Sequence, residues 1–241
     1  MEYSTKAIVL HAIKHRETSI ILQAYTEQAG LKSYIVKGPR TSNKKKIFSM
    51  AMFQPLTQLE IVANSRNQTN LSILKTAKII NPYTTITTNF SKSGICIFLS
   101  EVLRSVLKEE EQNQPLYSFL EHSLVWLDIH KYVANMHIYI LLQLTKHLGF
   151  YPNISTIQMP YFDMQNGCFC KSATNSECKS GEEITLLKDY LGMKFDEVQM
   201  ISVNAKQRRA LLTTLMRYYQ LHIQAFRMPK SLEILYEVFN D

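Results

Sequence analysis

Glycine and proline are scarce in this chain, seven of each in 241 residues, which argues against collagen-like and low-complexity structure. Cysteine occurs only four times, and in a chain read as cytoplasmic these should be reduced, so a disulfide framework is not expected. No run approaches the roughly 20 apolar residues of a membrane helix. Met1-Glu2-Tyr3-Ser4 opens without a charged segment leading into an apolar one, so no signal peptide is expected. Also missing are a Walker loop, a G-x-S-x-G elbow, an H-E-x-x-H pair and any repeated Asp/Glu spacing suited to two-metal chemistry. No catalytic residue is therefore assigned, and the chain is not read as an enzyme.

Acidic residues are thin in the first third. Up to residue 80 four glutamates face twelve lysines and arginines, a balance of +8, whereas the remaining residues carry fifteen bases and sixteen acids. The total of +7 thus belongs to one end of the chain, as expected of one domain that faces a polyanion and one that does not. The densest run is "VKGPRTSNKKK", Val36 to Lys46, with five cations, a Gly-Pro turn and no carboxylate. Lys37, Arg40, Lys44, Lys45 and Lys46 are candidate phosphate contacts, with Lys14, Arg16 and Arg66 as further basic residues of the same region. Tyr34 and Phe48 flank the run; exposed aromatics there would stack bases, whereas the alternation of Tyr34 with Ile35 allows it to point inward.

Hydrophobic residues make up 46% of the chain, enough for real cores. Segments 7–13, 19–25, 31–37, 56–62 and 71–80 are rich in β-branched and aromatic residues and separated by turns, so five short strands forming a small barrel or sandwich are expected. After Asn81-Pro82-Tyr83 the period changes. Ile95, Phe98, Leu99, Val102, Leu103 and Val106 follow helical spacing, a second run follows Pro115, and a third covers about 132–149 and ends at Gly149. Near the C-terminus Leu212, Met216, Tyr219 and Ile223 form an apolar stripe opposite Lys206, Arg209 and Arg217, and a short helix spans Ser231 to Phe239. The expected organisation is α+β with two domains, 1–82 and 83–241, and an irregular insertion at about 152–182 in the second.

That insertion holds Cys168, Cys170 and Cys178, with Cys96 far away on the first helix. Structural zinc takes four ligands, in pairs spaced C-x2–4-C. A C-x-C pair plus one cysteine is an incomplete set, so zinc is not expected and no resident cofactor is assigned. His130 and His137 share a helical face but have no carboxylate at ligand spacing, and read as surface or partly buried histidines.

Three stretches carry a resemblance. "AIVLHAIKHRETSIILQAYTEQAGLKSYIVKGPR" with "FQPLTQLEIV" resembles the N-terminal domain of the RecO family of bacterial DNA repair proteins. "LTKHLGFYPNI" resembles the helix end before that family's cysteine region, and "YYQLHIQAFRMPKSLEILYEVF" its C-terminal helices. The resemblance implies a five-stranded OB-fold barrel followed by a helical domain with a zinc-finger-like insertion. It implies a non-enzymatic recombination mediator, cytoplasmic and nucleoid-associated. Such a protein binds single- and double-stranded DNA, anneals complementary strands, partners RecR, and recognises the acidic C-terminal tail of single-stranded DNA-binding protein while helping RecA to load. Lys37 and Arg40 match the family's basic loop and are carried over as DNA contacts; Lys44 to Lys46 extend it by proximity. Lys131, Lys146, Arg209 and Arg217 are candidates for the tail. The four-cysteine pattern of zinc-binding relatives is not kept. The alternative reading is an OB-type RNA-binding module of translation or ribosome assembly.

Overall fold

The computed structural model describes residues 1–40, 48–64, 71–108 and 110–239. Strands β1 (Glu2–His15), β2 (Ser19–Thr26), β3 (Gly30–Val36), β4 (Gln58–Asn64) and β5 (Leu71–Ile79) close into a barrel in the order β1-β2-β3-β5-β4. Neighbours run antiparallel except β3 and β5, which pair in parallel from Ser33↔Leu71 to Ile35↔Ile73. This is the OB-type barrel expected. Closure leaves no open sheet edge, which is how so small a sheet protects its backbone polar groups.

β1 starts five residues before the apolar run at Ala7, because the polar stretch Glu2-Tyr3-Ser4-Thr5-Lys6 pairs with β4. One strand serves two neighbours: residues 2–8 face β4 and residues 7–15 face β2, with a bulge between Val9 and His11 that bends it. At the bend the Val9 N–H donates to the Thr57 carbonyl at 2.9 Å, and the Val9 carbonyl accepts from the Leu56 N–H at 2.7 Å. Alternate residues point inward, among them Ala7, Val9, Ile20, Leu22, Tyr34, Leu59 and Ile61, and Phe48 and Phe53 join the same cluster.

Helices α1 (Phe90–Val106) and α2 (Gln114–Ile129) follow. The strand-to-helix change falls near the expected boundary at 82/83, but both helices belong to the same compact unit as the barrel, Met1–Ile129. α2 accounts for this. Glu121 pairs with Lys6 at 3.2 Å, its carbonyl accepts from the Gln58 side chain at 3.1 Å, and Tyr117 stacks on Tyr25 with centroids 6.3 Å apart.

The turn into α1 is held by one buried carboxylate. Asp128, near the end of α2, accepts the backbone N–H groups of Thr84 at 2.9 Å and of Thr85 and Ile86 at 2.8 Å. The Thr84 and Thr85 hydroxyls add bonds of 3.0 and 3.1 Å. The buried Lys92 ammonium donates to the Asp128 carbonyl at 2.7 Å and to the Thr85 hydroxyl at 2.6 Å. Burial alone would raise the pKa of Asp128, but the three amides and the Thr84 hydroxyl outweigh it and hold it at about 2.

The second unit, His130–Asp241, is built on α3 (Met136–His147) and α5 (Ala205–His222). The Tyr219 hydroxyl donates to the Leu141 carbonyl at 2.7 Å. α3 begins at Met136 rather than near 132, since residues 130–135 form a turn pinned by buried Val133 and by Asn135, whose side chain donates to the Ile201 carbonyl at 2.8 Å. Its far end terminates as expected at Gly149, at φ +84. Between α3 and α5 lie β6 (Tyr161–Asp163), β7 (Cys168–Cys170), β8 (Cys178–Lys179) and α4 (Glu182–Tyr190); α6 (Leu232–Val238) comes last. Asn204 and Gln207 form a capping box at the start of α5. Among the described residues no helix is long and apolar enough to cross a membrane.

Replacing Asp128 by Asn keeps the size of the side chain but leaves amide donors without their anion. Stability should fall by about 2 kcal/mol at neutral pH. The folded value lies below the ordinary 3.8, so the parent protein holds this contribution in full above that pH and loses it as pH falls towards 2. Denaturant unfolding at several pH values should show a steeper acid loss in the parent than in Asp128→Asn.

Candidate nucleic-acid interface

One end of the barrel collects the cations that the sequence singles out. β1 and β2 meet in a tight turn at residues 16–18, where Arg16 takes the left-handed conformation at φ 56. Lys14, Ile20 and Val36 are successive partners across β1, β2 and β3, so the chain leaves β3 through Lys37 beside the β1–β2 turn. Gly38, at φ 76, redirects it. The Arg40 N–H then donates to the Thr18 carbonyl at 3.4 Å. Its guanidinium Nη1 donates to the carbonyls of Arg16 at 3.3 Å and Glu17 at 2.9 Å. Arg40 therefore fastens the two loops together through its Nη1. Lys14, Arg16, Lys37 and Arg40 are all exposed. Lys44, Lys45, Lys46 and Arg66 lie outside the described residues.

Four other lysines of the barrel lie beside acids. Lys6 pairs with Glu121, Lys32 with Glu110 at 2.5 Å, and Lys75 with Glu2. Lys78 sits opposite Glu60 in the ladder. Among the described residues Lys14, Arg16 and Lys37 make no such ion pair, and Glu17 is the one carboxylate in their turn. Uncompensated positive charge is thus concentrated at the β1–β2 and β3 end.

Tyr34 and Phe48 do not serve as base platforms. Tyr34 is wholly buried, its hydroxyl accepting from Tyr3 at 3.3 Å, and Phe48 packs against Phe53. Inward alternation on a closed barrel won over exposure. What this end offers a ligand is charge without aromatic faces.

The insertion folds as a three-stranded sheet, β7-β6-β8. Asp163 in its centre strand, 3% exposed, organises both of its loops. It accepts the N–H groups of Gln165 and Asn166 at 2.9 and 3.2 Å, the side-chain amides of Asn166 and Asn175 at 2.9 Å each, and the Thr174 hydroxyl at 3.2 Å. Burial pushes its pKa up, and the two asparagine amides and the backbone reverse that to a net lowering. Cys168 and Cys178 flank Asp163 in register. Cys178 Sγ accepts from the Thr174 N–H at 3.4 Å, and the Cys170 thiol donates to the Ser172 carbonyl at 3.2 Å. Phe162 packs on Phe169 and Tyr218, and Gly167 passes so close that a Cβ there would lie 2.6 Å from the Tyr218 hydroxyl. Among the described residues no three His, Cys, Asp or Glu side chains are grouped to hold a metal ion. His137, expected at the surface or partly buried, is fully enclosed; burial first, and Arg208 second, push its value down to about 3.

The four basic residues considered for a peptide tail have different surroundings. Arg217 is engaged by Glu177, Nε to Oε2 at 3.1 Å. Lys131 lies over the Tyr132 ring, 5.5 Å from its centroid. Lys146 stands exposed in the last turn of α3. Arg209 borders a concavity, lined by His137, Arg208, Leu212, Leu235, Tyr236 and Phe239, and lies 4.4 Å over the Tyr236 ring. The adjacent Arg208 and the aromatic spacing of α6 are signals of this concavity that charge counting misses.

The closed five-stranded barrel followed by helices places the chain in the OB-fold class. Comparison narrows this further: residues 1–83 match the family model "Recombination protein O N terminal" and residues 87–232 match "Recombination protein O C terminal". The chain belongs to the RecO family of DNA repair proteins. It is 43% identical to the DNA repair protein RecO of Christiangramia forsetii over 98% of each chain. It is equally identical to that of Flavobacterium johnsoniae over the whole of both, and 36% identical to that of Bacteroides fragilis, again end to end.

With Asp163 already satisfying the loops, we expect the purified protein to carry well under one zinc per chain and to keep its unfolding curve in the presence of a chelator. Stoichiometric zinc by elemental analysis, with unfolding on chelation, would overturn this. Asp163→Ala should instead destabilise the protein by about 2 kcal/mol and speed proteolysis between residues 164 and 178.

Proposed function

We propose that the protein is a non-enzymatic recombination mediator that holds single- and double-stranded DNA by their phosphates at the β1–β2 and β3 end of the barrel and anneals complementary strands. The observation that carries this reading is the Arg40 clasp, which gathers Lys14, Arg16 and Lys37 around one pair of loops while other barrel lysines face acids. Annealing makes and breaks no covalent bond. Two strands repel through their phosphates, and a cationic surface that holds both lowers this barrier while leaving base edges free to pair. The lack of exposed aromatics at that end fits the task, since a strand held there by charge alone keeps its bases unstacked from the protein. Family membership supports the remaining roles: partnership with RecR, help in loading RecA onto DNA coated by single-stranded DNA-binding protein, and a cytoplasmic, nucleoid-associated location.

The tail of single-stranded DNA-binding protein, acidic and apolar at its end, suits the concavity at α5 and α6. Leu212, Leu235 and Phe239 offer apolar surface and Arg209 a cation at the rim. Arg208 is committed elsewhere, to the Val203 carbonyl at 3.0 Å and to Asn135 at 3.4 Å. Arg209→Glu should weaken a fluorescent tail peptide at least tenfold while leaving DNA affinity unchanged. Equal tail binding by parent and variant would place the peptide elsewhere.

If Lys37, Arg40, Lys44, Lys45 and Lys46 each neutralise about one phosphate, single-strand affinity should fall with salt at a log–log slope of roughly −3 to −4. Between 50 and 200 mM that amounts to about a hundredfold. Replacing all five by Ala should flatten most of the slope and weaken unrelated sequences alike. A folded variant that keeps both affinity and slope would refute the assignment. Competition with structured RNA in the same titration tests the alternative: an RNA-binding module prefers the RNA.

A further inference from the structure

Holding phosphates at the barrel leaves open where the protein distinguishes an unpaired strand from a duplex, since both carry the same backbone charge. Aromatic stacking makes that distinction, because only an unpaired base offers a free face. Among the described residues two aromatic rings stand mostly in solvent, Phe90 at 73% and Tyr132 at 72% exposure. The nearby lysine of Phe90, Lys92, is turned inward and spent on Asp128 and Thr85, so it does not stand beside that ring for a phosphate. Tyr132 differs. Lys131 holds its ammonium over the ring at 5.5 Å, combining an aromatic face with a positive charge.

The turn that carries Tyr132 is anchored on the residues after it. Val133 is buried at 5% exposure, and its carbonyl accepts the Met136 N–H at 3.0 Å. Asn135 donates to the Ile201 carbonyl at 2.8 Å and accepts from the Arg208 Nε at 3.4 Å. With Val133 drawn inward and Asn135 tied on both sides, Tyr132 is projected outward from a fixed support. A ring on a fixed support loses little further freedom when a base settles on it.

We propose that Tyr132, with Lys131, is a stacking platform for an unpaired base of single-stranded DNA, a contact in the second unit that duplex DNA does not make. This rests on the reading of the protein as one that holds DNA, and adds a residue that selects the strand state. The ring contributes stacking irrespective of base identity, and the neighbouring ammonium contributes to the phosphate next to the stacked base.

The test uses the full chain. Tyr132→Ala should lose roughly tenfold or more in affinity for an oligothymidine strand, with its affinity for a blunt duplex of equal phosphate number unchanged. The side chain is exposed, so its melting temperature should match the parent's. Tyr132→Trp should restore binding, and its indole emission should be quenched by the strand but not by an abasic strand of the same length. Retention of full single-strand affinity by Tyr132→Ala, or equal loss on strand and duplex, overturns the platform while leaving the barrel assignment standing. Quenching by an acidic peptide ending in an aromatic residue, without response to the strand, overturns it in favour of a peptide site. A parent protein that binds neither DNA form overturns both readings together.

Discussion

The carboxylate of Asp128 is the point on which the first unit turns. A barrel of five strands ends at Ile79, and the chain must then reverse into α1 with its amides free of strand partners. Three of those amides, at Thr84, Thr85 and Ile86, converge on one side chain from α2. An anion that accepts several N–H groups is worth more than the same bonds to a neutral acceptor, and here it ties the turn at residues 84–86 to α2, more than forty positions on. Lys92 adds a cation that is buried only because the Asp128 carbonyl and the Thr85 hydroxyl receive it. With the turn fixed, α1 and α2 are joined through a point that also anchors the chain leaving the barrel.

This arrangement explains which parts of the fold were legible in the sequence. Alternation marks β2 to β5 because one face of each strand is inside a closed barrel, and Leu59 with Ile61 shows it without ambiguity. The first residues of β1 escape because their partners are polar ladder positions at a barrel seam, where pairing with β4 rather than burial decides the structure. The helices are legible from their apolar spacing. Asp128 is not, since a single carboxylate in an amphipathic helix looks like any solvated residue until the amides it meets are brought from more than forty positions away. The insertion is opaque for the same reason: the cysteines draw the eye, while Asp163 does the organising.

Charge was readable in amount and less so in placement. The surplus of cations in the first third is real, but Lys6, Lys32 and Lys75 each meet a glutamate, two of them from helical or connecting segments well beyond the barrel sequence. Exposed pairs of this kind contribute little to stability. Their consequence is for the field: they cancel charge over much of the barrel and leave it concentrated where the Arg40 guanidinium closes on the β1–β2 turn. Arg40 thus has a structural share in a site that the resemblance assigned to it as contact alone. Tyr34 shows the converse, an aromatic whose position beside the basic run suggested a ligand and whose ring is part of the barrel core.

Asp163 and Asp128 solve a common problem with one device. A short loop cannot pair its own amides, and it must be closed by a metal, by a disulfide or by an anion that takes several donors at once. In the insertion, the aspartate collects two backbone amides, two asparagine side chains and a hydroxyl within 3.2 Å. Two of the three nearby thiols are meanwhile bonded locally to Ser172 and Thr174. The Cys170 thiol donates its proton and would lose that bond as a thiolate, whereas Cys178 accepts from Thr174 and would keep it. The same network holds the face of the sheet against Tyr218 and α5, where Gly167 has no room for a side chain. The loop is therefore fixed to the helical core by hydrogen bonding and close packing, with Asp163 at its centre.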